Sequence, residues 1–122
     1  VYPGTLNREL TGVAVEATTN KGFGGQIIVM VGFLPDGTIN NTAVISHTET
    51  PGLGDKIDPR KSDFSLQFNQ KNPESFRLAV KKDGGQVDAI TAATISSRAF
   101  CDVVDLAYQA FRQSIQKEGG IQ

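Results

Sequence analysis

The chain has one cysteine, one histidine, no basic cluster longer than Lys81-Lys82, and no apolar run longer than Ile27 to Val31. Each shortage removes a class of protein. A single thiol, Cys101, cannot close a disulfide within the chain, and its place beside Phe100 and Val104 reads as a packed side chain. The lone His47 has no second histidine to share a metal and no nucleophile elbow around it, so a structural or hydrogen-bonding role is expected. No catalytic and no metal-binding residue is therefore assigned. A formal net charge of −1 and no basic stripe argue against nucleic acid as a partner. A membrane-spanning helix needs about 20 consecutive apolar residues, and none is present. Nor does a charged segment precede an apolar one at the N-terminus, as a signal peptide would require. No internal repeat or low-complexity segment occurs.

What remains is a chain of 122 residues, 39% of them hydrophobic, enough for one core. Residues 1 to 11, with Pro3, Gly4 and Asn7, read as a loose lead-in or a short helical turn. Val13, Val15 and Ala17 alternate with Ala14, Glu16 and Thr18, predicting a half-buried strand from Gly12 to Thr19. Asn20 to Gly25 is a turn with three glycines. Gln26 to Leu34, rich in Ile and Val, is predicted as a central strand covered on both faces. Pro35-Asp36-Gly37 turns the chain into a third strand, Thr38 to Ser46.

Beyond these strands the pattern weakens. Leu53 to Ile57 suits a short helical turn. The spacing of Phe64, Leu66 and Phe68 permits either a strand or a loop held by aromatic anchors. Phe76 to Val80 and Gln86 to Ile90 read as two further strands, separated by Lys82-Asp83-Gly84-Gly85. After the stretch that ends at Ser97, Phe100, Val104, Ala107, Phe111 and Ile115 recur at helical spacing, joined by Ala99, Val103, Leu106 and Ala110. Arg98, Asp102, Asp105, Gln109, Arg112 and Gln116 form the polar face. The polar tail from Lys117 to Gln122 is expected to fray. The fold class that follows is α+β, an antiparallel twisted sheet packed against a long C-terminal helix, with short helical segments.

The chemistry concentrates where the last predicted strand meets that helix, Asp88-Ala89-Ile90-Thr91-Ala92-Ala93-Thr94-Ile95-Ser96-Ser97. Its hydroxyls are candidate N-caps, and the first N–H groups of a helix attract anions, phosphate in particular. Arg98 lies four residues after Thr94, so if the helix has begun by Thr94 the two share a face and Arg98 adds a cation. A plain hydroxyl-rich helix cap explains the same residues. The loop His47-Thr48-Glu49-Thr50-Pro51-Gly52-Leu53-Gly54 is a second candidate, with Pro51 stiffening it and Gly52 and Gly54 letting a flat ring approach the main chain. An ordinary Pro-Gly turn is the alternative there.

Taken together, Thr91, Ala92, Ala93, Thr94 and Ser96 resemble the flavinylation motif of FMN-binding domains, with Ala92 where Gly is commoner. The 47–54 loop is similar to the loop that lies beside the flavin ring in that family. The family includes the G subunit of the Rnf electron-transport complex and the C subunit of the sodium-translocating NADH:quinone reductase, and the loop and short chain look closer to the former.

The resemblance implies one FMN-binding domain over residues 1–122, with FMN joined through its phosphate to the Thr94 hydroxyl by a flavin transferase. It implies cofactor contacts from Thr91, Ala92, Ala93, Ile95, Ser96, Arg98, Glu49, Thr50, Gly52, Leu53 and Gly54. It also implies electron transfer beside the other members of a membrane ferredoxin:NAD oxidoreductase complex that moves ions. The domain would lie on the extracytoplasmic side, a soluble fragment without its N-terminal transmembrane anchor. Two other readings compete: an FMN-binding domain of another membrane redox or regulatory protein, and a non-redox module that binds a small anion.

Overall fold

A computed structural model describes the backbone of residues 2–6 and 9–120, and the side chains of residues 12–114. Four antiparallel strands follow in chain order as β1 (Tyr2–Leu6), β2 (Glu9–Gly22), β3 (Gly25–Phe33) and β4 (Ile39–His47), and one long helix, α1 (Thr94–Gly120), closes the chain. The fold is α+β, as the hydrophobic patterning predicts.

Alternation in β2 and β3 sets the register that builds the core. Val15 stands opposite Val31 and Ala17 opposite Val29, while Val29 stands opposite Val44 of β4. Val15, Ile27, Val29, Val31 and Phe33 are buried on the face covered by α1, whereas Glu16 and Thr18 are exposed on the other. The expected burial of β3 on both faces does not hold. Ile28 and Met30 are only half-buried, because the sheet is covered by a helix on one side alone. Pro35-Asp36-Gly37 makes the predicted turn, with the Thr38 N–H donating to Asp36 Oδ1 at 2.9 Å.

The lead-in also differs from expectation. Tyr2 to Leu6 is a strand, and β2 begins at Glu9, so Tyr2 pairs with Ala14 and Pro3 with Val13. The edge of β2 offered a free ladder, and the short segment took it despite its weak alternation. Val1, Asn7 and Arg8 lie outside the described residues.

Between β4 and α1 the chain contains no strand of its own. Gly54–Ile57, Phe64–Phe68 and Lys81–Asp83 are single 3-10 turns. In the second of these Phe64 and Phe68 point inward while Leu66 is exposed, so the aromatic-anchor reading is the one the fold adopts. Phe76 to Val80 and Gln86 to Ile90 form only one bridge, Val80 to Val87. The start of β4 bonds instead to residues 70 and 71: the Ile39 N–H donates to the Lys71 carbonyl, and the Gln70 N–H to the Ile39 carbonyl.

On α1, Phe100 is fully buried with Phe64 and Phe68 at ring separations of 5.6 and 5.1 Å, and Phe111 stacks on Phe33 at 4.8 Å. Burying each such ring contributes about 1.5–3 kcal/mol. Leu106, predicted as part of the apolar face, is exposed instead, and Tyr108 takes an interior place with its hydroxyl donating to Glu74 at 2.7 Å. The side chains of Ile115 and Gln116 lie outside those described. The helix continues through Gly120 where a fraying tail from Lys117 was expected, and residues 121–122 lie outside the described chain. No helix among the described residues is long and apolar enough to cross a membrane.

Candidate functional site

The approach to α1 is a tight turn. The Ala93 N–H donates to the Ile90 carbonyl at 3.0 Å, which places Ala92 at the third position of the turn with φ of 64°. A left-handed conformation costs a residue with a side chain about 1–2 kcal/mol, and this is the position at which the resembled motif usually has Gly. Ser97 then locks the junction. Its buried Oγ accepts the Ile90 N–H at 2.8 Å and donates to the Ala93 carbonyl at 2.8 Å.

The helix therefore starts without a hydroxyl cap. Ala93, whose carbonyl accepts the first helical bond from Ser97, occupies the N-cap position and offers only a methyl group. Of the candidate capping hydroxyls, Ser97 is committed to the turn and Ser96, buried, donates to Glu49 Oε1 at 2.5 Å. Among the described hydrogen bonds the N–H groups of Thr94, Ile95 and Ser96 have no acceptor, and Thr94 Oγ1 has no partner. Three backbone donors, one half-buried hydroxyl and the positive end of a 27-residue helix thus converge.

They converge on a hollow of about 380 Å³ lined by Phe23, Thr50, Leu53, Gly54 and the residues from Ala92 to Ser96. Among the described residues no charged side chain lines it. Phe23, Leu53 and Ile95 are 68%, 40% and 49% exposed, and these three large apolar side chains border the one cavity.

The 47–54 loop is held by Glu49. Its carboxylate, 4% exposed, accepts the Phe23 N–H and the Gly24 N–H, each at 2.9 Å, as well as the Ser96 hydroxyl. One buried group thus ties the β2–β3 hairpin, the loop and the first turn of α1 together. His47 serves the same loop, its Nδ1 accepting the Glu49 N–H at 3.0 Å.

Of the predicted contact residues, Thr94, Ala92, Ala93, Ile95, Ser96, Thr50, Leu53 and Gly54 are brought to one cavity. The roles of several differ from the sequence reading. Gly54 makes room for Ser96, since a Cβ there would collide with the Ser96 Oγ, rather than for a ring. Gly52 adopts a φ of 79° in the turn and lines no part of the hollow. Glu49 sits behind the wall as a strut. Thr91 faces a separate groove with Gln67 and Asp88.

Arg98 turns away from Thr94. Its Nε and Nη2 fork onto Asp83 at 2.8 and 2.9 Å in a neighbouring hollow, and this holds the Asp83 carboxyl below its ordinary value. Cys101 borders that second hollow, where burial pushes its thiol up to about 12, so it carries no thiolate chemistry near neutral pH. Phe23 is the site residue missed by sequence reasoning. Its one signal was a large aromatic among turn glycines.

A sheet backed by one helix, whose uncapped N-terminus opens into an uncharged, apolar-bordered hollow, defines a binding domain for a ligand with an anionic end and an apolar body. FMN has both parts, and the free N–H groups and apolar walls fit its phosphate and ring system respectively. The chain belongs to the FMN-binding domain family, whose sequence profile matches residues 22–109. It is 44% identical over 121 residues to the G subunit of the ion-translocating oxidoreductase complex of Pseudoalteromonas atlantica, covering 94% of this chain and 56% of that protein. It is 46% identical over 118 residues to the protein of the same name from Vibrio atlanticus, with the same coverage. The corresponding G subunit from Shewanella piezotolerans is 40% identical over 119 residues, covering 95% of this chain and 56% of that protein. The chain thus spans about half the length of the curated relatives it matches.

Proposed function

We propose that this domain carries FMN covalently, through a phosphoester between the FMN phosphate and Thr94 Oγ1, and relays electrons within a membrane ion-translocating oxidoreductase complex. The observation that carries the reading is the unpartnered Thr94 hydroxyl, set among three free backbone N–H groups at the mouth of the cavity. Those groups would hold the phosphate, Leu53 and Ile95 would cover the apolar part of the ring system, and the Thr50 hydroxyl would reach its polar edge. When bound, FMN supplies the redox chemistry, and the protein supplies position and electrostatics.

The absence of charge in the cavity supports a tether. A helix N-terminus stabilises an anion by only about 0.3–1 kcal/mol at an accessible site, and Arg98 is engaged by Asp83. A phosphate held by these donors alone would exchange readily; a covalent bond removes dissociation. Thr94 is therefore an attachment point: as the phosphoester forms, its hydroxyl loses its hydrogen and displaces a leaving group from the phosphorus of the flavin donor on the transferase, and once tethered it takes no part in proton transfer. Ser96 and Glu49 keep the first turn in place beneath it.

The similarity to G subunits of ion-translocating oxidoreductase complexes supports placement in a complex of that kind, a ferredoxin:NAD oxidoreductase of the Rnf type coupled to ion movement, among other membrane proteins. Maturation then needs a flavin transferase, and the domain is exposed on the extracytoplasmic side of the membrane.

The test is the intact mass of the domain after co-expression with a flavin transferase, beside Thr94→Ala. A gain of about 440 Da, one FMN residue, is expected only with Thr94 present. An equal gain in the alanine variant, or none in either, would overturn the assignment.

A further inference from the structure

Phe23 has no place in the core. It and Gly24 form the two-residue turn between Gly22 and Gly25, which pair with each other across the hairpin. Such turns favour small residues with unusual backbone angles, so the turn gives no reason for an aromatic ring. The ring is 68% exposed, more than any other large apolar side chain described, and leaving it in water forgoes the stabilisation that burial would bring.

The backbone beneath it is nevertheless held firmly. Both N–H groups of the turn donate to the buried Glu49 carboxylate, and Thr48 Oγ1 donates to the Gly24 carbonyl at 2.7 Å. Because Glu49 also accepts from Ser96, the hairpin tip is referenced directly to the turn of α1 that contains Thr94. An exposed aromatic on a rigid mount, bordering the same hollow as Leu53 and Ile95, is arranged to be covered by something that enters that hollow.

We infer that Phe23 is a flavin-contacting residue that packs on the ring system of FMN tethered at Thr94 and shields it from water, with Glu49 as the residue that positions it. This rests on the tethered-FMN reading above. Closing the open side of the cavity with an aromatic excludes solvent while adding no charge, so the shielding is read directly by a soluble quencher.

The experiment measures iodide quenching of flavin fluorescence in the co-expressed, flavinylated domain, with intact mass recorded for every sample. Phe23→Ala is expected to keep the flavin mass and raise the quenching constant about twofold. Phe23→Tyr should restore the wild-type value, and Leu66→Ala, which removes an exposed side chain that does not line the cavity, should not change it. Full flavin mass with unchanged quenching in Phe23→Ala overturns this inference alone. No flavin mass in the wild type overturns the tether reading and this inference with it.

Discussion

Two hollows meet at the first turn of α1, and Ile95 borders both. They use opposite electrostatics. The one beside Arg98 is lined by Lys21, Asp83, Arg98 and Asp102, and its charges satisfy one another through the Arg98–Asp83 fork and the Lys21–Asp102 pair at 3.7 Å. The one beside Thr94 has no charged lining among the described residues, yet it retains backbone donors and a hydroxyl that none of the described groups bonds. Formal charge therefore points away from the hollow proposed for FMN. Charges that have found partners within the protein leave little for a ligand, whereas unpaired N–H groups at a helix terminus remain available to an anion.

The variant with the largest expected effect on this contrast is Glu49→Ala. It strips the acceptor from two backbone N–H groups and the Ser96 hydroxyl, and should cost about 2–4 kcal/mol in chemical denaturation while reducing flavin loading. Wild-type stability would show that Glu49 does not hold the uncharged hollow together.

A smaller change sharpens the same site. Ala92→Gly relieves a left-handed conformation worth about 1–2 kcal/mol but adds chain entropy of about 0.5–1 kcal/mol in the unfolded state, so a net gain near 0.5 kcal/mol is expected. A destabilised glycine variant would contradict that balance.

The smallest effect belongs to the charged hollow. Arg98→Ala should leave flavin loading by intact mass unchanged, and a drop would return Arg98 to the phosphate site. In the native protein the Arg98 hydrogen bonds depress the Asp83 carboxyl below its ordinary 3.8. Since the folded value is the lower one, the pair's contribution is present above about pH 4 and is lost as pH falls through the depressed value. Carboxyl NMR should find Asp83 titrating below the ordinary range in the wild type and closer to it in Arg98→Ala.

Much of the fold was legible because β2 and α1 each bury one face against a continuous layer, so period two and period 3.6 survive in the sequence, whereas β3 was legible as a strand from its Ile- and Val-rich run but its one-sided cover was not. The strandless stretch from residue 48 to 93 was harder to read. Phe76 to Val80 alternates as a strand would, but its inward residues are anchors in irregular chain, and alternation over five residues does not distinguish the two. β1 was missed for the converse reason, since a strand added at the sheet edge through backbone pairing needs little alternation.

By itself the sequence determined the α+β class, the existence of the long C-terminal helix, and the hydroxyl-rich approach to it with Ala92 in the place of Gly. These are local properties, set by side-chain period and turn chemistry over a few residues. Only the tertiary structure decided that Ser96 and Ser97 are consumed by Glu49, Ile90 and Ala93 while Thr94 is not, that Asp83 takes Arg98, and that Phe23 borders the same hollow as the helix start. Those outcomes depend on which groups the packed fold brings within hydrogen-bond reach, and spacing along the chain carries little record of that.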